Sequence, residues 1–193
     1  MNRFFNHAEV YHGDAFLMDY SDQTNSARGV EIYPTKPVDI AAMHIHNPTL
    51  LSYWIVNLEQ HVDFFRKADG SIVSNCEALL ASQGVTCPWM LLVELKYGLE
   101  KNAKKNTKLA KDQLLDTLDF LVTKNVVTHK SHHFYLNSAA PAYDTLEPFL
   151  NFKQTQTERL EILRRNGCKI HMLGYNNLLI LSDQYIGIPK VKI

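Results

Sequence analysis

The run Trp89-Met-Leu-Leu-Val-Glu94-Leu-Lys96-Tyr97 constrains the fold of this chain more than any other segment. Its first residues are apolar at every position, as in a central strand covered on both faces. Two charges then appear. Because side chains alternate along a strand, Glu94 and Lys96 share one face, while Val93, Leu95 and Tyr97 continue the other. An isolated Glu-x-Lys at a strand end reads first as an exposed ion pair, worth about 0 to 1 kcal/mol. A chemical role needs a second acid.

That acid lies in Asn75-Cys76-Glu77-Ala78-Leu79-Leu80. Ile72 to Ala81 reads as a strand and Ser82 to Pro88 as a loop, so a hairpin centred between Val85 and Thr86 sets Glu77 opposite Glu94. Two facing carboxylates repel, and a divalent cation between them removes the conflict. Hard Mg²⁺ or Mn²⁺ accepts such ligands, fills its shell with water and phosphate oxygens, and activates a water for attack on phosphorus. Lys96 is then placed to stabilise the developing charge.

These residues resemble the PD-(D/E)xK, or restriction-endonuclease-like, nuclease superfamily over residues 50 to 137. The resemblance rests on Glu77, on Glu94-Leu95-Lys96, and on a following helix containing Gln113-Leu-Leu-Asp-Thr117. It implies that Glu77, Glu94 and the carbonyl of Leu95 bind Mg²⁺ or Mn²⁺, that Lys96 assists the nucleophile, and that Gln113 supports the site. The family usually has Asp where this chain has Glu77, one methylene longer. For the family's further helical acid, Glu59 is the nearest candidate, alongside an ordinary surface role.

The expected fold is α/β: a restriction-endonuclease-like core with a central mixed sheet flanked by helices near residues 48 to 60 and 107 to 123. Leu50 to Leu58 suits a helix after Asn47-Pro48, although Tyr53, Trp54, Ile55 and Val56 would also suit a strand. Thr107 to Thr123 is an amphipathic helix whose stripe is Ala110, Leu114, Leu118 and Leu121. Two short strands fall between Gly29 and His46, and another spans Val126 to Asn137. Lys153 to Asn166 reads as a charged helix stopped by Gly167. Lys169 to Leu173 and Leu178 to Leu181 read as a hairpin about Gly174-Tyr-Asn-Asn177. The 193 residues are expected to form a single domain, with 1–28 a peripheral arm, 48–137 the nuclease-like core and 150–193 a C-terminal helix and hairpin.

Lys and Arg together number 20, as do Asp and Glu, so any polyanion site must be a local patch. Lys101, Lys104, Lys105, Lys108 and Lys111 form one, and they are read as contacts to nucleic-acid phosphates or as a solvated helix face. No apolar run spans a bilayer and no secretion signal opens the chain, so a soluble, cytoplasmic protein is expected. Cys76, Cys87 and Cys168 lack metal or disulfide spacing and are read as reduced and structural. His44-Ile-His46 offers two imidazoles on one strand face but no third ligand by spacing, and it is set aside. The functional expectation is a nuclease acting on DNA or RNA, with a homodimer compatible. The alternative is an inactive nuclease-like fold that binds nucleic acid or protein.

Overall fold

The computed structural model describes residues 3–21, 28–83, 87–97, 102–127, 133–143, 152, 155, 157–158, 160–161 and 169–189. Its strands in chain order begin with β1 (Glu9–Tyr11), β2 (Ala15–Asp19), β3 (Val30–Tyr33), β4 (Met43–His46), β5 (Tyr53–Asn57) and β6 (Ala78–Ser82). They continue with β7 (Trp89–Leu95), β8 (His133–Ala139), β9 (Lys169–Leu173), β10 (Asn177–Ile180) and β11 (Ile186–Gly187). Helix α1 (Ala103–Thr123) joins β7 to β8.

The architecture is α/β with two mixed sheets. One has the order β1-β5-β6-β7-β8-β9, and the other β11-β10-β4-β2-β3. In the larger sheet β5, β6 and β7 form an antiparallel meander, after which α1 returns the chain to β8, parallel to β7. Every residue of β7 is buried. Met90 and Leu92 pack with Leu114, Leu118 and Leu121 of α1, whereas Leu91, Val93 and Leu95 pack against Ala15, Leu17, Met43 and Ile45 of the smaller sheet. The larger sheet is therefore the middle of three layers, which explains why its central strand is apolar on both faces.

Several expectations give way to long-range packing. The segment expected as a helix over residues 50 to 58 is strand β5, whose β-branched and aromatic side chains bury on alternate faces between β1 and β6. Residues 59–65 form 3₁₀ turns instead. The arm expected to be peripheral supplies β2, an inner strand of the smaller sheet with Ala15, Leu17 and Met18 fully buried. Its short apolar stretch buries against a layer that local sequence cannot reveal.

The C-terminal hairpin is also corrected. β9 pairs parallel with β8 in one sheet, while β10 pairs parallel with β4 in the other. Asn137 donates to the Tyr175 carbonyl at 3.0 Å and accepts from the Tyr175 N–H at 3.1 Å, so the chain changes layers there instead of folding back. The expected strand at 126–137 begins at His133, and Val126 belongs to the end of α1. Of the charged helix at 153–166, Thr157, Glu158, Leu160 and Glu161 are helical and much of the rest, with Gly167, lies outside the described residues.

Candidate functional site

The expected register holds in the structure. Ala78 pairs with Val93 across β6 and β7, and Glu77, the residue before β6, donates its N–H to the Val93 carbonyl at 3.1 Å, near enough to Glu94 to feel its charge. The Glu77 carbonyl accepts from Leu58 N–H at 2.8 Å, so its backbone is fixed from both sides. Glu77 Oε2 accepts from the N–H of Leu95 at 2.7 Å. The sequence expectation gave Leu95 a role through its carbonyl; the contact seen here is made by its N–H.

Glu94 is 1% exposed and forms an ion pair through Oε1 with Lys96 Nζ. Lys96 N–H donates to the Ala139 carbonyl at 2.8 Å, anchoring the end of β7 to β8. Burial pushes the Glu77 carboxyl well above the usual range, the Glu94 charge pushes it further, and Lys96 pulls against both. Part of Glu77 reaches the surface, but its carboxyl is deep. Cys76, fully buried beside the pair, has its thiol pushed up by burial and then by Glu94, the opposite of an activated nucleophile. Cys76 and Cys87 form no disulfide among the described residues, and Cys168 lies outside them.

Two residues join the site that sequence reasoning missed. Asp19, at the end of β2, is buried and raises the Glu77 pKa through its charge. Its backbone N–H donates to Tyr97 Oη at 3.3 Å, which brings the smaller sheet to the same end of β7. Ser138 pairs with Glu94 across β7 and β8, and its buried hydroxyl has no hydrogen-bond partner among the described residues. Neither lies near a motif in sequence.

The auxiliary residues are placed differently from one another. On α1, Thr117 makes the contact to the acid strand by accepting from the Cys76 N–H at 2.8 Å, and it donates to the Gln113 carbonyl at 2.7 Å. Gln113 thus contributes a backbone carbonyl one turn away and is half-buried. Lys105 and Lys108 are exposed. Lys111 is held by Glu158 at 2.7 Å, which removes it from the free basic patch. Lys101 and the side chain of Lys104 lie outside the described residues. Glu59 accepts from the backbone N–H of Val30 at 2.6 Å, a contact that the missing Cβ of Gly29 permits.

Of the three residues, Glu94 is buried, Glu77 is half-buried and the Lys96 side chain is 20% exposed. The arrangement brings two carboxylates and one ammonium to the same end of β7. No helix among the described residues is long and apolar enough to cross a membrane. No protein-family model, no curated protein and no solved structure matches the chain.

Proposed function

We propose that this protein is a metal-dependent phosphodiester hydrolase acting on DNA or RNA, with β5, β6, β7, α1 and β8 as a restriction-endonuclease-like core. The observation that carries this reading is the gathering of Glu77, Glu94 and Lys96 at one end of β6 and β7, where the Glu77 carboxylate accepts from the Leu95 N–H and Lys96 pairs with Glu94. A hard divalent ion suits the donor set: burial first, and the nearby Glu94 charge second, push Glu77 toward its neutral form, and the Ser138 hydroxyl beside Glu94 has no partner among the described residues.

Glu77 and Glu94 would hold Mg²⁺ or Mn²⁺, with the Leu95 carbonyl as a further donor. When bound, the ion supplies a water of lowered pKa and charge to oppose that on phosphorus. Lys96, now paired with Glu94, stabilises a phosphate oxygen once that carboxylate is engaged elsewhere. Lys105 and Lys108 are exposed and would contact backbone phosphates, a role the sequence also suggests for Lys101 and Lys104, and Gln113 is an auxiliary residue.

The test is cleavage of single- and double-stranded DNA and RNA with Mg²⁺ or Mn²⁺. Glu77→Gln, Glu94→Gln and Lys96→Ala should each lower the rate by roughly 10² to 10³, with circular dichroism unchanged. Cleavage undiminished in Lys96→Ala, or no cleavage by wild type on any substrate, overturns the reading. A second reading, the same fold as a non-catalytic nucleic-acid or protein-binding module, is favoured by the near-complete burial of Glu94 under its ion pair with Lys96. It predicts salt-dependent binding that Lys105→Ala/Lys108→Ala weakens, with no metal-dependent turnover.

A further inference from the structure

On the outer face of the smaller sheet, Asp14, His44 and His46 converge. Ala15 pairs with Ile45 across β2 and β4, so Asp14 lies across from His46 and diagonal to His44. Ala15, Leu17, Met43 and Ile45 point into the core between the sheets, which turns Asp14, His44 and His46 the other way. His44 Nε2 lies 2.8 Å from Asp14 Oδ2, and His46 Nδ1 lies 3.2 Å from both carboxylate oxygens. One donor atom from each residue falls within 4.8 Å of the other two.

We infer that Asp14, His44 and His46 form a binding site for one divalent transition-metal ion, with Zn²⁺ its first occupant, separate from the Glu77 and Glu94 pair. Ligands about 2.0 to 2.2 Å from zinc sit roughly 3 to 3.5 Å apart, close to the spacings seen here. Two imidazoles and a carboxylate suit zinc or its transition-metal neighbours, whereas Mg²⁺ prefers oxygen alone. The side chains are 26%, 44% and 32% exposed for His44, His46 and Asp14, which leaves a fourth position for water or a substrate oxygen.

Surrounding contacts fix the ligands before any ion arrives. Asn47 N–H donates to Asp14 Oδ1 at 2.8 Å, and the His44 ring stacks on Phe16 at 4.4 Å with planes 6° apart. His44 N–H donates to the Asn176 carbonyl at 2.8 Å, and Tyr53 Oη holds the Gly13 carbonyl at 2.8 Å just before Asp14. Supports of this kind orient metal ligands. Asp14 and Asp19 lie at opposite ends of β2, about 17 Å apart at a strand's rise of about 3.3 Å per residue. The Asp19 charge reaches Glu77, so the two sites lie toward different ends of β2.

The experiment is titration of chelator-stripped full-length protein with Zn²⁺ by calorimetry, and with Co²⁺ by visible absorption. Wild type should bind one Zn²⁺ per chain and show cobalt d–d bands. Asp14→Asn and His44→Gln/His46→Gln should weaken zinc binding by at least about 100-fold, while Glu77→Gln/Glu94→Gln leaves it intact. That last variant keeps this inference distinguishable from the nuclease reading. His171→Gln controls for the neighbouring pair His133 and His171, whose ring nitrogens lie 3.3 Å apart. Imidazole NMR of wild type adds a readout independent of any variant's folding, with zinc shifting the His44 and His46 resonances. No zinc binding by wild type overturns the inference. So does affinity unchanged by the Asp14, His44 and His46 variants, or lost only in His171→Gln.

Discussion

Glu94 and Lys96 carry charges that an edge strand could leave in water, where such a pair contributes little. Here the middle layer buries Glu94, and the pair's chemistry follows from that burial. Lys111 shows the same dependence of role on surroundings. Glu158 accepts from Lys111 and from the N–H and hydroxyl of Thr155, and these contacts, Lys111 first, lower its carboxyl to about 2. A depressed carboxylate contributes stability that is present above its unfolded pKa and is lost as pH falls through the folded value. Lys111→Ala should therefore move the Glu158 titration, followed by carboxyl NMR, up toward the ordinary glutamate range. A titration left at about 2 would assign the shift to Thr155 alone. Because the pair is partly exposed, high salt should shrink the difference between wild type and variant.

At the scale of elements, α1 owes its position to Ala110, Leu114, Leu118 and Leu121, all buried against the larger sheet, and its end to Asn125. Asn125 takes φ 55°, its N–H donates to the Val122 carbonyl at 3.0 Å, and the Val126 N–H donates to the Leu121 carbonyl at 3.0 Å. This is a Schellman cap closed by Val126, which is buried in the cluster that contains Leu121. A side chain other than Asn or Gly pays about 1 to 2 kcal/mol for the left-handed conformation. Asn125→Ala should lower stability by about 1 kcal/mol in urea unfolding, and Asn125→Gly should be neutral or mildly stabilising. Equal losses in both variants would place the effect in side-chain contacts instead of backbone conformation.

In the whole molecule, the two sheets are tied at the point where the chain leaves β9 for β10. Asn176 accepts from Ala140 N–H at 2.7 Å and donates to the carbonyls of Ala140 at 3.0 Å and Tyr143 at 2.7 Å, while its own carbonyl accepts from His44. One buried residue thereby joins the two layers, its side-chain amide holding the end of β8 and its backbone carbonyl holding β4. Asn176→Ala leaves buried backbone groups without partners, each costing about 1 to 3 kcal/mol, so a loss of roughly 3 kcal/mol in urea unfolding is expected. If the clamp couples the layers, circular dichroism and Trp89 fluorescence should still report a single transition at a lower midpoint. A loss under about 0.5 kcal/mol would show that water replaces the amide at no cost.

How much was legible in sequence depended on how local each interaction is. Strand β7, the stripe of α1 and the register of β6 with β7 could be read because each follows from side-chain periodicity or from one short turn between adjacent strands. Strand β5 could not, since Tyr53 to Val56 fit either state until β1 and β6 supplied partners. Asp14 lies thirty and thirty-two residues before His44 and His46, Asp19 belongs to a segment that reads as a loose arm, and Ser138 carries no motif. The sequence by itself determined which strand would be central and in what register β6 would lie beside it. The tertiary structure alone decided that β2 enters a second sheet, that β9 and β10 part, and that a carboxylate meets the paired histidines. Those outcomes depend on burial between layers, and burial is a property of residues far apart in the chain.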